Sequence, residues 1–173
     1  MNLTRYRLNR KEGTIYQERD NQLVNIGESL LGAIVWHSEP FQAQLFGRPR
    51  IEGWVQLTIL AETGELGYIM LNSGQTSALQ PWLDYVQGLR EQGFRVSQVA
   101  TKIHFEYVES DDLFDYAFQA YQSPSLEERI NSLLKNQKFS PVDKTLPVSV
   151  VRKLEDARLQ SNSLSRESVQ GVR

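Results

Sequence analysis

The chain has 173 residues, a formal net charge of −2 and no cysteine. Its length suits one domain with an extension, and the lack of cysteine excludes disulfides, thiolate metal sites and cysteine nucleophiles. No apolar run approaches the ~20 residues of a membrane-spanning helix, and the first residues lack the apolar core of a signal peptide. The sequence therefore predicts a cytoplasmic protein that does not contact a membrane.

A basic and aromatic hairpin is predicted over residues 3–19, where alternating segments flank a turn. Cations and rings on strands can hold a single-stranded nucleic acid, because the cations contact phosphates and the rings stack on bases. The alternative is an exposed face whose arginine stems cover apolar neighbours. The candidate contacts are Arg5, Tyr6, Arg7, Arg10 and Tyr16.

The apolar run at residues 30–36 predicts a central strand buried on both faces. A shorter, half-buried strand is predicted at residues 41–45. Residues 47–50 then form a loop in which Arg48 and Arg50 flank a proline. Because a guanidinium group offers a bidentate fork to phosphate, Arg48 and Arg50 join the candidate nucleic-acid contacts.

The clearest pattern lies between residues 52 and 107. It predicts a hairpin of residues 52–60 and 66–71, joined by a glycine-containing loop. An apolar stripe at helical spacing predicts a helix over residues 81–92, and strict alternation predicts a strand over residues 99–107. Residues 111–121 fit both periods, and their aromatic content favours a strand.

The pair Ser123-Pro124 marks the predicted domain boundary. Residues 1–122 are expected to form an α+β core that folds alone, and residues 123–173 a helical, basic, partly disordered extension. A capping box formed by Ser125 and Glu128 predicts the first helix of this extension. A second helix is predicted over residues 150–159, followed by a polar tail.

Charge is distributed unevenly along the chain. Residues 106–128 carry seven acidic side chains and no basic one, whereas residues 129–173 carry nine basic and four acidic side chains. The two segments can be ordinary solvated surfaces. The alternative is a basic extension that binds a polyanion or an acidic protein.

The overall pattern predicts an α+β fold. We expect a mostly antiparallel, curved sheet or small barrel with one packed helix, plus a helical C-terminal extension. Small barrels include folds that bind oligonucleotides, but fold alone does not establish function.

Recognisable catalytic patterns are missing. His37 and His104 do not have a metal-ligand spacing, and the sequence has no phosphate-binding loop, dinucleotide fingerprint or nucleophile elbow. His104 with Glu106 could form an acid–base pair, and Asp111, Asp112 and Asp115 could bind a divalent cation. Solvated surfaces are the simpler interpretation, so we predict no catalytic residue, no metal site and no cofactor.

Three functional hypotheses remain. The first is a non-enzymatic nucleic-acid-binding or accessory subunit of a nucleoprotein assembly, which contacts phosphates of a single strand through the basic strands and loop. The second is a protein–protein adaptor with no nucleic-acid role, whose amphipathic C-terminal helices dock on a partner. The third is a hydrolase that uses Asp111, Asp112 and His104.

Overall fold

The computed structural model describes residues 3–74 and 79–136. These residues form an α+β fold built on one large sheet, as predicted. The strands are β1 (Thr4–Asn9), β2 (Thr14–Arg19), β3 (Gln22–Gly27), β4 (Ser29–His37), β5 (Phe41–Ala43), β6 (Glu52–Ala61), β7 (Leu66–Asn72), β8 (Ala100–Val108) and β9 (Leu113–Tyr121), and the helices are α1 (Leu79–Glu91) and α2 (Pro124–Asn136).

The sheet is mixed and strongly curled into a half-barrel. Its strand order is β3-β2-β1-β7-β6-β4-β8-β9, and β5 pairs with β6 off this path. Every described pairing is antiparallel except that of β1 with β7. The mostly antiparallel curved sheet predicted from the sequence is thus confirmed, and the parallel pair joins the first three strands to the rest.

The inner face of the sheet carries the main core. Residues that alternate along β6, such as Val55, Leu57 and Ile59, are 0–1% exposed, because the pleat directs every second side chain to the same face. Helix α1 covers this face with Trp82 and Leu89, which are 2% and 5% exposed. The predicted helix is therefore confirmed, and it begins two residues earlier than expected.

The outer face is covered by α2. Leu126 and Ile130 are 1% and 3% exposed, and they pack with Ala33 and Val35 of β4. The helix begins at Pro124, and the carbonyl oxygen of Ser123 accepts hydrogen bonds from the amides of Leu126 and Glu127. Ser125 thus lies inside the first turn rather than at the cap, because the fixed φ of proline suits the first helical position.

The packing of α2 predicts the effect of shortening the chain. The boundary after residue 122 stays a prediction, but removal of α2 would expose the apolar outer face of β4. Burial of two such side chains contributes about 3 kcal/mol or more. We expect a chain ending at residue 122 to melt at a lower temperature than one ending at residue 136. Equal melting midpoints in circular dichroism would contradict this expectation.

The sequence pattern does not predict strand β3. It follows a two-residue turn in which Asp20 and Asn21 have φ angles of 49° and 63°, values that suit the tight turns of hairpins. Five of its six residues are exposed, so no alternation of buried and exposed positions marks it. The other predicted strands are present, and residues 113–121 are a strand as expected.

The parallel contact of β1 with β7 depends on a glycine. A Cβ atom on Gly67 would lie 2.4 Å from Cε2 of Tyr6 and 2.6 Å from the Thr4 carbonyl oxygen. Only glycine therefore allows β1 to approach β7 this closely. Glu65 strengthens the junction, since its carboxylate accepts hydrogen bonds from Thr4, Gln17 and Arg19.

The predicted second helix at residues 150–159 and the predicted disordered tail lie outside the described residues. Among the described residues, neither α1 nor α2 combines the length and apolar character that a membrane crossing requires.

Candidate nucleic-acid interface

A cleft of about 1250 Å³ opens at one end of the curled sheet. The end of β7 and the start of β6 meet there with the end of β1, because β1 and β7 run parallel and β6 runs against them. The loop between β5 and β6 forms one wall of the cleft. Tyr16 of β2 and Leu23 of β3 also line it. Tyr116 of β9 also lines the cleft.

The lining is strongly basic. Its charged side chains are five cations and one carboxylate, that of Glu52. A cleft with one dominant sign of charge concentrates counter-ions of the opposite sign. The cations are Arg7, Arg10, Lys11, Arg48 and Arg50.

Arg10 links the first hairpin to β9. Its carbonyl oxygen accepts a hydrogen bond of 2.9 Å from the amide of Phe114, and its Nε donates to the Phe114 carbonyl oxygen at 2.8 Å. The guanidinium group also pairs with Asp115 and lies 5.2 Å from the ring centre of Tyr116. The tip of the first hairpin is thereby tied to β9, so Arg10 has a structural role at the cleft.

We expect Arg10→Ala to destabilise the fold by about 2 kcal/mol. The substitution leaves the Phe114 carbonyl oxygen and Asp115 without a charged donor, and lost hydrogen bonds to charged groups cost about 1.5–3 kcal/mol. Arg7→Ala is the matched control, because an exposed side chain costs less than about 0.5 kcal/mol. Urea denaturation measures both. Equal midpoints for the two variants would refute the structural role.

Arg48 is fixed at the wall of the cleft. The loop turns at Phe46 and Gly47, whose φ angles are 55° and 70°. One guanidinium nitrogen of Arg48 lies 3.1 Å from Oε2 of Glu52, and the group lies 5.5 Å from the ring centre of Trp54. Glu52 therefore offsets part of the Arg48 charge, while the Arg48 side chain stays 46% exposed.

Three cations of the cleft have no such partner. Arg7, Lys11 and Arg50 are exposed, and their side chains make no hydrogen bond or ion pair with another described residue. They come from two segments about forty residues apart in sequence, which the fold brings to one cleft. Their charges are available to a ligand. Lys11 was not among the residues predicted from the sequence, although it lies in the turn of the basic hairpin.

Arg5 and Tyr6 lie away from the cleft lining. Arg5 pairs with Glu18 at 3.4 Å and lies 3.9 Å from the ring centre of Phe46. Tyr6 is 3% exposed, and burial raises its pKa to about 12. A base cannot stack on this ring, so the stacking role predicted for Tyr6 is wrong. Alternation explains the result, because Tyr6 must face opposite Arg5 and Arg7 on one strand.

Ring and aliphatic side chains accompany the cations. Tyr16 lines the cleft and donates a hydrogen bond of 2.6 Å to Glu12. Leu23 and Ile51, also in the lining, are 49% and 65% exposed. Burial raises the pKa of Tyr116, and the nearby Arg10 and Arg48 oppose this shift. The cleft thus offers apolar surface beside positive charge.

The acidic candidates are engaged in local contacts. Asp115 pairs with Arg10, Asp112 accepts a hydrogen bond from Tyr107, and Asp111 accepts one from Ser110. Nε2 of His104 lies 3.5 Å from Glu106. These contacts account for the positions of the carboxylates.

Compared with known proteins, the chain matches no protein-family model, no curated protein and no solved structure.

Proposed function

We propose that the chain is a non-enzymatic protein that binds single-stranded nucleic acid in the basic cleft, as a subunit or accessory of a nucleoprotein assembly. The observation that carries this proposal is the convergence of Arg7, Lys11 and Arg50 in one cleft, without a described partner for their charges. A cytoplasmic location is part of the proposal.

Electrostatics supports a polyanion as the ligand. The whole chain has a net charge of −2, so its overall charge does not attract phosphate. The attraction must come from the cleft, where the charges of Arg7, Lys11 and Arg50 are not offset by a carboxylate of the described residues. Backbone phosphates spaced along a strand can each meet a separate cation of the cleft, whereas one small anion can meet only a few.

The apolar lining supports a single strand rather than a duplex. Bases of a single strand are free to stack on rings and aliphatic side chains, and such contacts do not depend on sequence. Tyr16, Leu23 and Ile51 provide these surfaces beside the cations. No recognition-helix geometry accompanies the cleft in the described residues, so we expect binding without sequence preference.

The adaptor hypothesis remains the alternative. It required a free amphipathic helix after residue 123, yet α2 uses Leu126 and Ile130 to cover the sheet of its own chain. Leu134, at 41% exposure, is the apolar side chain that α2 leaves outside. An adaptor would therefore have to dock through another surface or through residues beyond 136.

A salt titration tests the proposal. We expect the protein to bind a labelled single strand of about 16 nucleotides, with log affinity falling against log salt at a slope of about −2. This value follows from three phosphate contacts at roughly 0.7 each. Fluorescence anisotropy at several salt concentrations measures it, with inorganic polyphosphate as a polyanion that lacks bases.

Three outcomes would contradict the proposal. A flat salt dependence would remove the role of the cations, and the absence of binding at low salt would favour the adaptor. The third outcome is that the affinities for polyphosphate and for the single strand, both extrapolated to 1 M salt, are equal. The bases would then contribute nothing to the affinity, and the nucleic-acid assignment would fail.

A further inference from the structure

Strand β3 is one of the two end strands of the sheet. It pairs with β2 on one side, and no described residue pairs with its other side. The strand at the opposite end, β9, is tied at its start to the first hairpin by the hydrogen bond from Phe114 to Arg10. Unpaired amides and carbonyls along an edge strand form a template for a further strand.

The composition of β3 does not protect this edge. Its six residues include no charge and no proline, although natural edge strands usually use such residues to prevent pairing. Leu23 and Val24 are 49% and 48% exposed. Because consecutive residues point to opposite faces, both faces of β3 leave an apolar side chain uncovered.

We infer that β3 pairs with β3 of a second copy of this chain, antiparallel across a two-fold axis. A two-fold interface brings the same residues of both copies together, and like charges opposite each other destabilise strand pairs. The uncharged β3 avoids this repulsion. A charged peptide would find no charge of opposite sign on β3. The edge is therefore better suited to an identical uncharged strand than to a charged peptide.

The pairing fits the geometry of the preceding turn. The two-residue turn at Asp20 and Asn21 keeps β2 and β3 in register up to the pair Arg19–Gln22, so the turn does not fold over the edge. Six residues of strand bury less than the ~800 Å² per partner of a standard interface. We therefore expect a weak dimer that dissociates on dilution. This inference does not rest on the proposed function.

Sedimentation equilibrium of the full chain tests the inference at protein concentrations between about 1 μM and about 1 mM. We expect a monomer–dimer equilibrium that Val24→Lys weakens by about tenfold or more. Leu83→Lys is the matched control, because Leu83 is 44% exposed on α1, and it should leave the equilibrium unchanged. A monomer throughout the range, or a dimer that Val24→Lys does not weaken, would overturn the inference.

A cross-linking arm keeps the test decisive if a lysine variant fails to fold. The chain has no cysteine, so Val24→Cys and Leu83→Cys each introduce a single thiol. Val24 lies near the centre of β3, close to the proposed two-fold axis. We expect Val24→Cys to form disulfide-linked dimers under mild oxidation at least about tenfold faster than Leu83→Cys. Equal rates would overturn the inference.

Discussion

Replacing Arg7, Lys11 and Arg50 together with alanine is expected to weaken single-strand binding by roughly 100-fold at 0.1 M salt. Each phosphate contact to a single strand contributes about 0.7 to the slope of log affinity against log salt. Three lost contacts therefore correspond to about two log units at this salt concentration. The slope itself should fall close to zero, which fluorescence anisotropy of a labelled strand measures directly.

The control for this variant removes the same charge elsewhere. Arg90, Lys102 and Lys135 lie outside the cleft lining, and they have no ion pair with a described residue. Their replacement with alanine changes the net charge equally but leaves the cleft intact. If both triple variants lose affinity to the same extent, net charge rather than the cleft governs binding.

The largest loss of stability is expected for Trp82→Ala. Trp82 is 2% exposed, and its ring contacts the rings of His37 and Phe118 edge-on at 5.5 Å between centres. The substitution leaves a cavity between α1 and the inner face of the sheet. Such truncations cost about 3–5 kcal/mol, which a urea denaturation curve of the full chain detects as a lower midpoint.

His104→Ala serves as the comparison. The His104 side chain is 20% exposed, and its one described ionic neighbour is Glu106 at 3.5 Å. His104 belongs to none of the hydrophobic clusters, and its buried Nδ1 has no hydrogen-bond partner among the described residues, so its removal breaks no hydrogen bond at that atom and we expect a smaller loss of stability than for Trp82→Ala. Equal losses for the two variants would mean that α1 does not seal the inner core.

The local elements could be predicted because their patterns are strong. Alternation along β6 and the apolar stripe of α1 each specify one buried face. Strand β3 could not be predicted, because its apolar residues Leu23 and Val24 are adjacent and both exposed. The strand therefore shows no alternation of apolar and polar positions. The parallel contact of β1 with β7 joins residues about sixty positions apart, and no local pattern encodes such a pairing.

The candidate site could be predicted in part. Five of the seven predicted contacts line the cleft, and their role in binding stays a prediction. Tyr6 alternates with Arg5 and Arg7 along one strand, so its side chain must point inward when theirs point outward. The sequence therefore contained the signal that excludes Tyr6 from the binding surface. The structural role of Arg10 could not be predicted, because its partner Asp115 is about one hundred residues away.

Photo-cross-linking of a 4-thiouridine-labelled single strand to the full chain, followed by peptide mass spectrometry, tests the central claim most directly. We predict cross-links in the segments that line the cleft, namely residues 7–16 and 48–53, and their loss when Arg7, Lys11 and Arg50 are replaced. Cross-links confined to residues 137–173, or unchanged in the triple variant, would contradict the assignment of the cleft as the nucleic-acid interface.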